Sequence, residues 1–342
     1  MGSKNNSGIA IALAWPETYC RQAGGWYDAI LNSVGISHHH YYKVGHAAVL
    51  LIDKSIGECT YFDFGRYHAP YGFGRVRSKL TDPGLKVETR ASFSTDAKFL
   101  TNKTEILSEI QFNEECHGEG TIHAGECEIN FQKAIKHALH MQENSPLPYG
   151  PFIPNGTNCS RFVNEVIRAG HPPLANHLKL KYLNWFTPTP MNNVQALNER
   201  KSHPHLRSGK RFEPRPIKDK SILKETIRKP KRPPIVPSHA QWLSGEGAGS
   251  WYQLDQLTEG LFELHRFDPT GKPEGRAILK SNNEENPNLN QAWQITHLSN
   301  CHRVTITQND REFILLATRG NQSYASSTGE CVLESKKTRD FD

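Results

Sequence analysis

The stretch that decides the fold is Asn155 to Arg168, NGTNCSRFVNEVIR. Gly156 permits a tight turn and Asn158 is a good helix-capping residue. Phe162, Val163, Val166 and Ile167 then recur at helical spacing. The reading is an amphipathic helix from Ser160 to Arg168, closed by Gly170 and Pro172-Pro173. Cys159 falls at its first turn, off the apolar face where an inert cysteine would pack. Unpaired N–H groups and the helix dipole favour a thiolate there, and the same N–H groups can hold an oxyanion. Cys159 is therefore the candidate nucleophile.

A nucleophile needs a base, and the clearest hairpin in the chain offers one. Val44 to Ile52 is a strand, Asp53 to Gly57 a turn, and Cys59 to Phe64 the partner strand. His46 is out of keeping with the Ala, Val, Leu and Ile that follow it, and Asp63 stands alone as an acid among Tyr61, Phe62 and Phe64. A turn centred near Ser55 sets His46 opposite Phe64. One residue of register then decides whether imidazole and carboxylate share a face. The alternative is a satisfied core histidine and a strand-end aspartate.

Around this hairpin, Ile9 to Ala14, Val76 to Ser78 and Lys86 to Ser92 read as strands. Trp26 to Asn32, Lys103 to Gln111 and Ile129 to Gln142 read as helices. Short apolar runs after Gln241, among them Leu261 to Phe267 and Arg303 to Gln308, are separated by turn clusters and predict a small all-β domain. The chain has 342 residues and a formal charge of +6. Between Arg200 and Gln241 lie thirteen Lys or Arg, three acids and seven prolines, so the remainder is net acidic. Proline and like-charge repulsion make that segment an extended linker. The expected division is 1–199, a basic Pro-rich linker 200–240, and a β-rich accessory domain 241–342. The linker is either a solvated spacer or a polyanion contact; with Phe212 nearly its only aromatic, base-stacking recognition is poorly supported.

No apolar run approaches the ~20 residues needed to cross a bilayer. Ile9 to Trp15 lacks a charged leader and cleavage site, so a first strand and cytoplasmic residence are expected. Seven cysteines without a CxxC pair support neither a zinc finger nor a disulfide framework. Seventeen histidines form no HExxH pattern, and neither metal nor cofactor is expected. Arg66, Arg75 and Arg77, in a glycine-rich stretch after the second strand, either clamp a substrate carboxylate or phosphate, or cap carbonyls and pair with nearby acids such as Asp82. Tyr149, with Gly150, Pro151 and Phe152, either lines the cleft or packs beneath the cysteine loop.

A strand opening Gly45-His46-Ala47, an acid on the next strand and a later Asn158-Cys159-x-x-Phe162 resemble the circularly permuted branch of the NlpC-type papain-like superfamily, which includes lecithin retinol acyltransferase relatives. In that branch the histidine precedes the cysteine, as here. YFDFGRY, YGFGRVRS, YGPF and NCSRFV also resemble an uncharacterised bacterial group with a similar segment around Trp242-Leu243-Ser244-Gly245. The resemblance covers chiefly residues 40 to 170. It implies an α+β permuted papain-like domain with an antiparallel sheet and a cysteine-bearing helix. By the likeness, Cys159 is nucleophile, His46 base and Asp63 the orienting residue. Many permuted relatives carry a second histidine at the third place, which keeps His68 as an alternative. The implied activity is a cysteine-dependent hydrolase, peptidase or amidase, or an acyltransferase, acting on a peptide or acyl-group substrate. The rival from another class is a non-enzymatic adaptor docking a polyanionic or protein partner. A cell-wall substrate would require delivery as a secreted effector.

Overall fold

In the computed structural model, the described residues are 6–22, 28–33, 35, 37–95, 100–116, 118–150, 153–182, 187–197, 228–246, 248–283 and 285–323. Trp26, Pro151, Phe152, most of the basic linker and the C-terminal tail after Ser323 lie outside them. Two compact units are present. The first comprises Met1–Lys79, Leu85–Arg228 and Ser244–Ala248; the second comprises Leu80–Gly84, Lys229–Leu243 and Gly249–Asp342.

The first unit mixes helix and sheet. Its main sheet runs in the order His123–Ile129, Gly8–Trp15, His46–Asp53, Cys59–Gly65, Phe73–Arg77, Leu147–Pro148. Every pairing is antiparallel. Both faces are covered, which explains why the two central strands are apolar throughout instead of alternating. Ala10, Ala12, Ala14, Ala47, Val49, Leu51, Phe62 and Phe64 face a core shared with the helices Phe131–Glu143 and Cys159–Ala169. The alanines on this face let those helices approach the sheet closely. Ile9, Ile11, Leu13, Trp15, Ala48, Leu50, Ile52 and Tyr61 face a second core built with the helix Lys103–Phe112.

Several elements differ from the sequence reading. His123–Ile129 is an edge strand ending where a helix was expected to begin, and that helix starts at Phe131 under an Asn130 cap. Its Gly125 lies against Val194, where a Cβ would come within 2.3 Å of the carbonyl oxygen. Lys86 to Ser92 forms no strand; the N–H groups of Glu88 and Thr89 donate to the Glu109 carboxylate instead of a neighbouring strand.

The second unit is a seven-stranded antiparallel sheet in the order Gln241–Leu243, Ser250–Thr258, Leu261–Phe267, Pro273–Ser281, Arg311–Ser323, Arg303–Gln308, Gln294–Thr296. It curls towards closure, because Gln241 on the first strand accepts from Ile295 N–H and donates to the Trp293 carbonyl. Leu80–Gly84 is anchored here by the buried Arg266–Asp82 pair at 3.0 Å. Val236 and Ala240, expected in the linker, are buried with Trp251 in this unit. Residues 229–240 therefore pack as part of the β unit, because their few apolar side chains find a tryptophan to cover. No helix among the described residues is long and apolar enough to cross a membrane.

Phe162 is fully buried and meets Phe64 at 6.4 Å between ring centroids. Phe162→Ala is expected to destabilise the protein by about 3–5 kcal/mol, measured as a lower urea midpoint. An unchanged midpoint would mean that this helix–sheet contact does not hold the first unit together.

Candidate functional site

The cysteine helix runs from Cys159 to Ala169, and the Asn158 side chain caps it by accepting from Arg161 N–H at 2.9 Å. Cys159 is thus the first helical residue and half-buried. The loop before it is pinned: Thr157 N–H donates to the Pro148 carbonyl and Gly150 N–H to the Thr157 carbonyl. Arg161 reaches back to the Gly156 carbonyl. The thiol is placed by a cap and a small backbone ladder.

His46 opens its strand directly after Gly45, whose φ of +77° turns the chain into the sheet. The hairpin register pairs Ala48 with Asp63 and Ile52 with Cys59. That is one residue away from a turn centred on Ser55, because Asp53 and Glu58 close the loop around Gly57. His46 and Asp63 therefore lie on the same face, diagonal to each other across the ladder. The His46 Nε2 to Asp63 Oδ2 distance is 3.4 Å, a charge contact without good hydrogen-bond alignment. Trp15 stacks on the imidazole at 5.8 Å between centroids, and its indole N–H donates to Gln111 at 2.8 Å.

Asp63 is completely buried and meets Arg77 through two contacts, Nε–Oδ1 at 3.0 Å and Nη2–Oδ2 at 2.6 Å. Tyr61 donates to the same carboxylate at 3.3 Å. Burial opposes the charged carboxylate, but Arg77 and His46 outweigh it and hold the group well below the usual carboxylate range. Burial likewise opposes a charged His46, yet Asp63 and Cys159 raise its pKa to about 9. Burial pushes the Cys159 thiol up, while His46, the Ala47 N–H and the Ser160 hydroxyl bring it below its ordinary value. The other buried thiols of this unit move the opposite way. Burial pushes Cys59 and Cys127 up to about 12 and raises Cys116 as well. Cys159 is distinguished by its environment, which lowers its pKa where the other buried thiols of this unit have theirs raised.

His68, the alternative third residue, is buried against Arg75, its Nδ1 3.3 Å from Nη2. Arg75 also donates to the Tyr67 carbonyl at 2.7 Å. Arg77 serves Asp63 and the Glu115 carbonyl and lies over the Tyr67 ring at 3.9 Å. Arg66 is paired with Glu246, sits 3.1 Å from Cys20 Sγ and lies over the Tyr149 ring at 5.1 Å. All three arginines are thus buried among carbonyls and side chains of the protein itself. Tyr149 is half-buried and stacked on Phe64 at 5.9 Å. Sequence reasoning missed Trp15, Tyr61, Glu246 and Cys20. Trp15 ends a wholly buried apolar strand and Glu246 stands in a Gly-rich run, so neither carries a local signal.

The charge states generate a pH prediction. His46 is raised above its unfolded ~6.5, so its stabilisation is full below that value and fades as pH rises through about 9. NMR titration of the His46 ring should give a midpoint near 9 in wild type and a lower one in Cys159→Ala. Asp63 is depressed, so its contribution is present above ~3.9 and is lost as pH falls. Asp63→Asn leaves Arg77 uncompensated and should cost about 3–5 kcal/mol at pH 7, with a flatter loss of stability in acid than wild type. A His46 midpoint at or below 6.5 in wild type, or a neutral Asp63→Asn, would contradict this geometry.

Two family models match separate stretches of the chain. Residues 10–172 match the family model described as type VI secretion system effector TseH-like. Residues 240–318 match the DUF6695 C-terminal domain. The crystal structure of the type VI secretion system effector TseH aligns at 19% identity and a TM-score of 0.38, covering 57% of this chain and 90% of that chain. No curated protein matches. Residues 10–172, just under half of the chain, are thus similar to the TseH-like type VI secretion system effector model.

Proposed function

We propose that the first unit is a permuted papain-like thiol enzyme, a cysteine-dependent hydrolase or acyltransferase acting on an amide or ester, with peptidase or amidase action favoured. The observation that carries this reading is Cys159 at a capped helix N-terminus, interacting with a His46 that lies 3.4 Å from the buried Asp63 carboxylate, which raises its pKa. Charged imidazole and depressed thiol together form an activated nucleophile.

In the first half-reaction the Cys159 thiolate attacks the carbonyl carbon and the carbonyl π pair moves onto oxygen. Asn158 occupies the Arg161 N–H, which leaves those of Cys159 and Ser160 to face the oxyanion. Collapse breaks the bond to the amine or alcohol, which leaves with the proton held by His46. Neutral His46 then takes a proton from water, or from an acceptor hydroxyl or amine, as that oxygen or nitrogen attacks the thioester. Cys159 departs as thiolate and His46 is again charged. Asp63, gripped by Arg77, orients the ring and stabilises its charge through both halves.

The relation to type VI effectors favours a protein delivered out of the producing cell, with an amide or ester of a target cell as substrate. The β unit, which matches a separate family model, then supplies targeting or substrate selection.

The test is direct trapping of the acyl-enzyme. A panel of amide, ester and thioester donors should add one acyl mass to the intact protein, mapped by peptide analysis to Cys159. Cys159→Ala should add none, and His46→Ala should acylate about 10²–10⁴-fold more slowly at pH 7. If no donor acylates Cys159, and Cys159→Ala binds partners as wild type does, the adaptor reading replaces the enzyme.

A further inference from the structure

Ser244–Ala248 follows the first strand of the β unit in sequence but belongs to the first unit. Its backbone is stitched there. Glu246 N–H donates to the Ala69 carbonyl at 2.7 Å, and Tyr67 bridges to Ala248. A Cβ on Gly245 would fall 2.5 Å from His68 Cα, so the strap lies flush against the turn that follows the Asp63 strand. The sequence Ser-Gly-Glu-Gly-Ala supplies the small residues that this close approach requires.

The strap delivers one large side chain. Glu246 is fully buried; one carboxylate oxygen pairs with Arg66 and the other accepts the Gly72 N–H at 3.0 Å. A carboxylate and guanidinium buried together are kept only when their remaining valences are met. Arg66 meets them on the side of the thiol site. It donates to the Arg21 and Gln22 carbonyls, contacts Cys20 Sγ at 3.1 Å and covers the Tyr149 ring. Tyr149 bridges to Thr157, two residues before Cys159, and its hydroxyl is 3.9 Å from Cys20 Sγ. A continuous path therefore runs from Glu246 through Arg66 and Tyr149 to the loop that presents the nucleophile.

Resting on the thiol-enzyme reading above, we propose that Glu246 is a positioning residue of the thiol site, holding Arg66 so that Tyr149 and Cys20 form a fixed wall beside Cys159. With its fork engaged by Glu246 and two carbonyls, Arg66 supports that wall instead of clamping a substrate anion. The enzyme domain is then completed by a strap that the chain supplies some eighty residues after the cysteine helix ends.

Full-length Glu246→Gln, which keeps the shape and removes the charge, tests the assignment by iodoacetamide labelling at pH 7 read cysteine by cysteine. Loss of positioning should slow Cys159 by about tenfold or more and speed Cys20, which loses its guanidinium clamp. Cys59, Cys116 and Cys127, in the cores, should stay protected. Glu246→Asp, which keeps the charge but shortens the reach by one methylene, should fall between wild type and Glu246→Gln, and remains readable if the amide variant does not fold. Unchanged labelling at both Cys20 and Cys159 overturns the proposal. So does simultaneous exposure of all the core cysteines in both variants, which would mark Glu246 as a scaffold residue only. A wild-type Cys159 no more reactive than the core cysteines defeats the thiol-enzyme reading itself. That failure is distinguishable because it is seen before any change at Glu246.

Discussion

The buried Asp63 carboxylate is the constraint on which the site depends. It faces Arg77 directly across the ladder and is gripped by two of its three guanidinium nitrogens, Nε and Nη2. A full negative charge in a sheet covered on both faces is tolerable only because Arg77, Tyr61 and His46 surround it. The same charge makes an imidazolium at His46 favourable in spite of burial, and that imidazolium in turn favours a thiolate at Cys159. The shifts at His46 and Cys159 both trace back to one ion pair between neighbouring strands.

Each of these charges is placed by backbone and not by chance contact. The hairpin loop from Asp53 to Glu58 fixes a register in which His46 and Asp63 share a face; a slip of one residue would send them to opposite faces. Gly45 turns the chain into the strand, and Asn158 fixes where the cysteine helix begins. Trp15 stacks on one face of the imidazole, and its own N–H is satisfied by Gln111. A ring held between an indole and a carboxylate has little freedom to rotate.

Much of this was legible in the residues. The cap at Asn158 and the periodicity of Phe162, Val163, Val166 and Ile167 define the helix, and Leu261–Phe267 and Arg303–Gln308 are strands with the expected bounds. What escaped was non-local. His123–Ile129 holds a glycine and two glutamates, and it is a strand only because Gly8–Trp15 offers it an edge. The arginine partners are set by tertiary approach: Arg66 finds an acid 180 positions away. The register turned on a loop-closing pair, Asp53 with Glu58, that composition does not reveal.

The most direct test of the central claim is the pH dependence of Cys159 alkylation in wild type, Asp63→Asn and His46→Ala, followed cysteine by cysteine by mass spectrometry. The account predicts selective wild-type labelling already near pH ~6, well below an ordinary thiol's range. That selectivity should be lost in His46→Ala and weakened in Asp63→Asn. A Cys159 that titrates near the ordinary ~8.5, or one unaffected by either substitution, would contradict it.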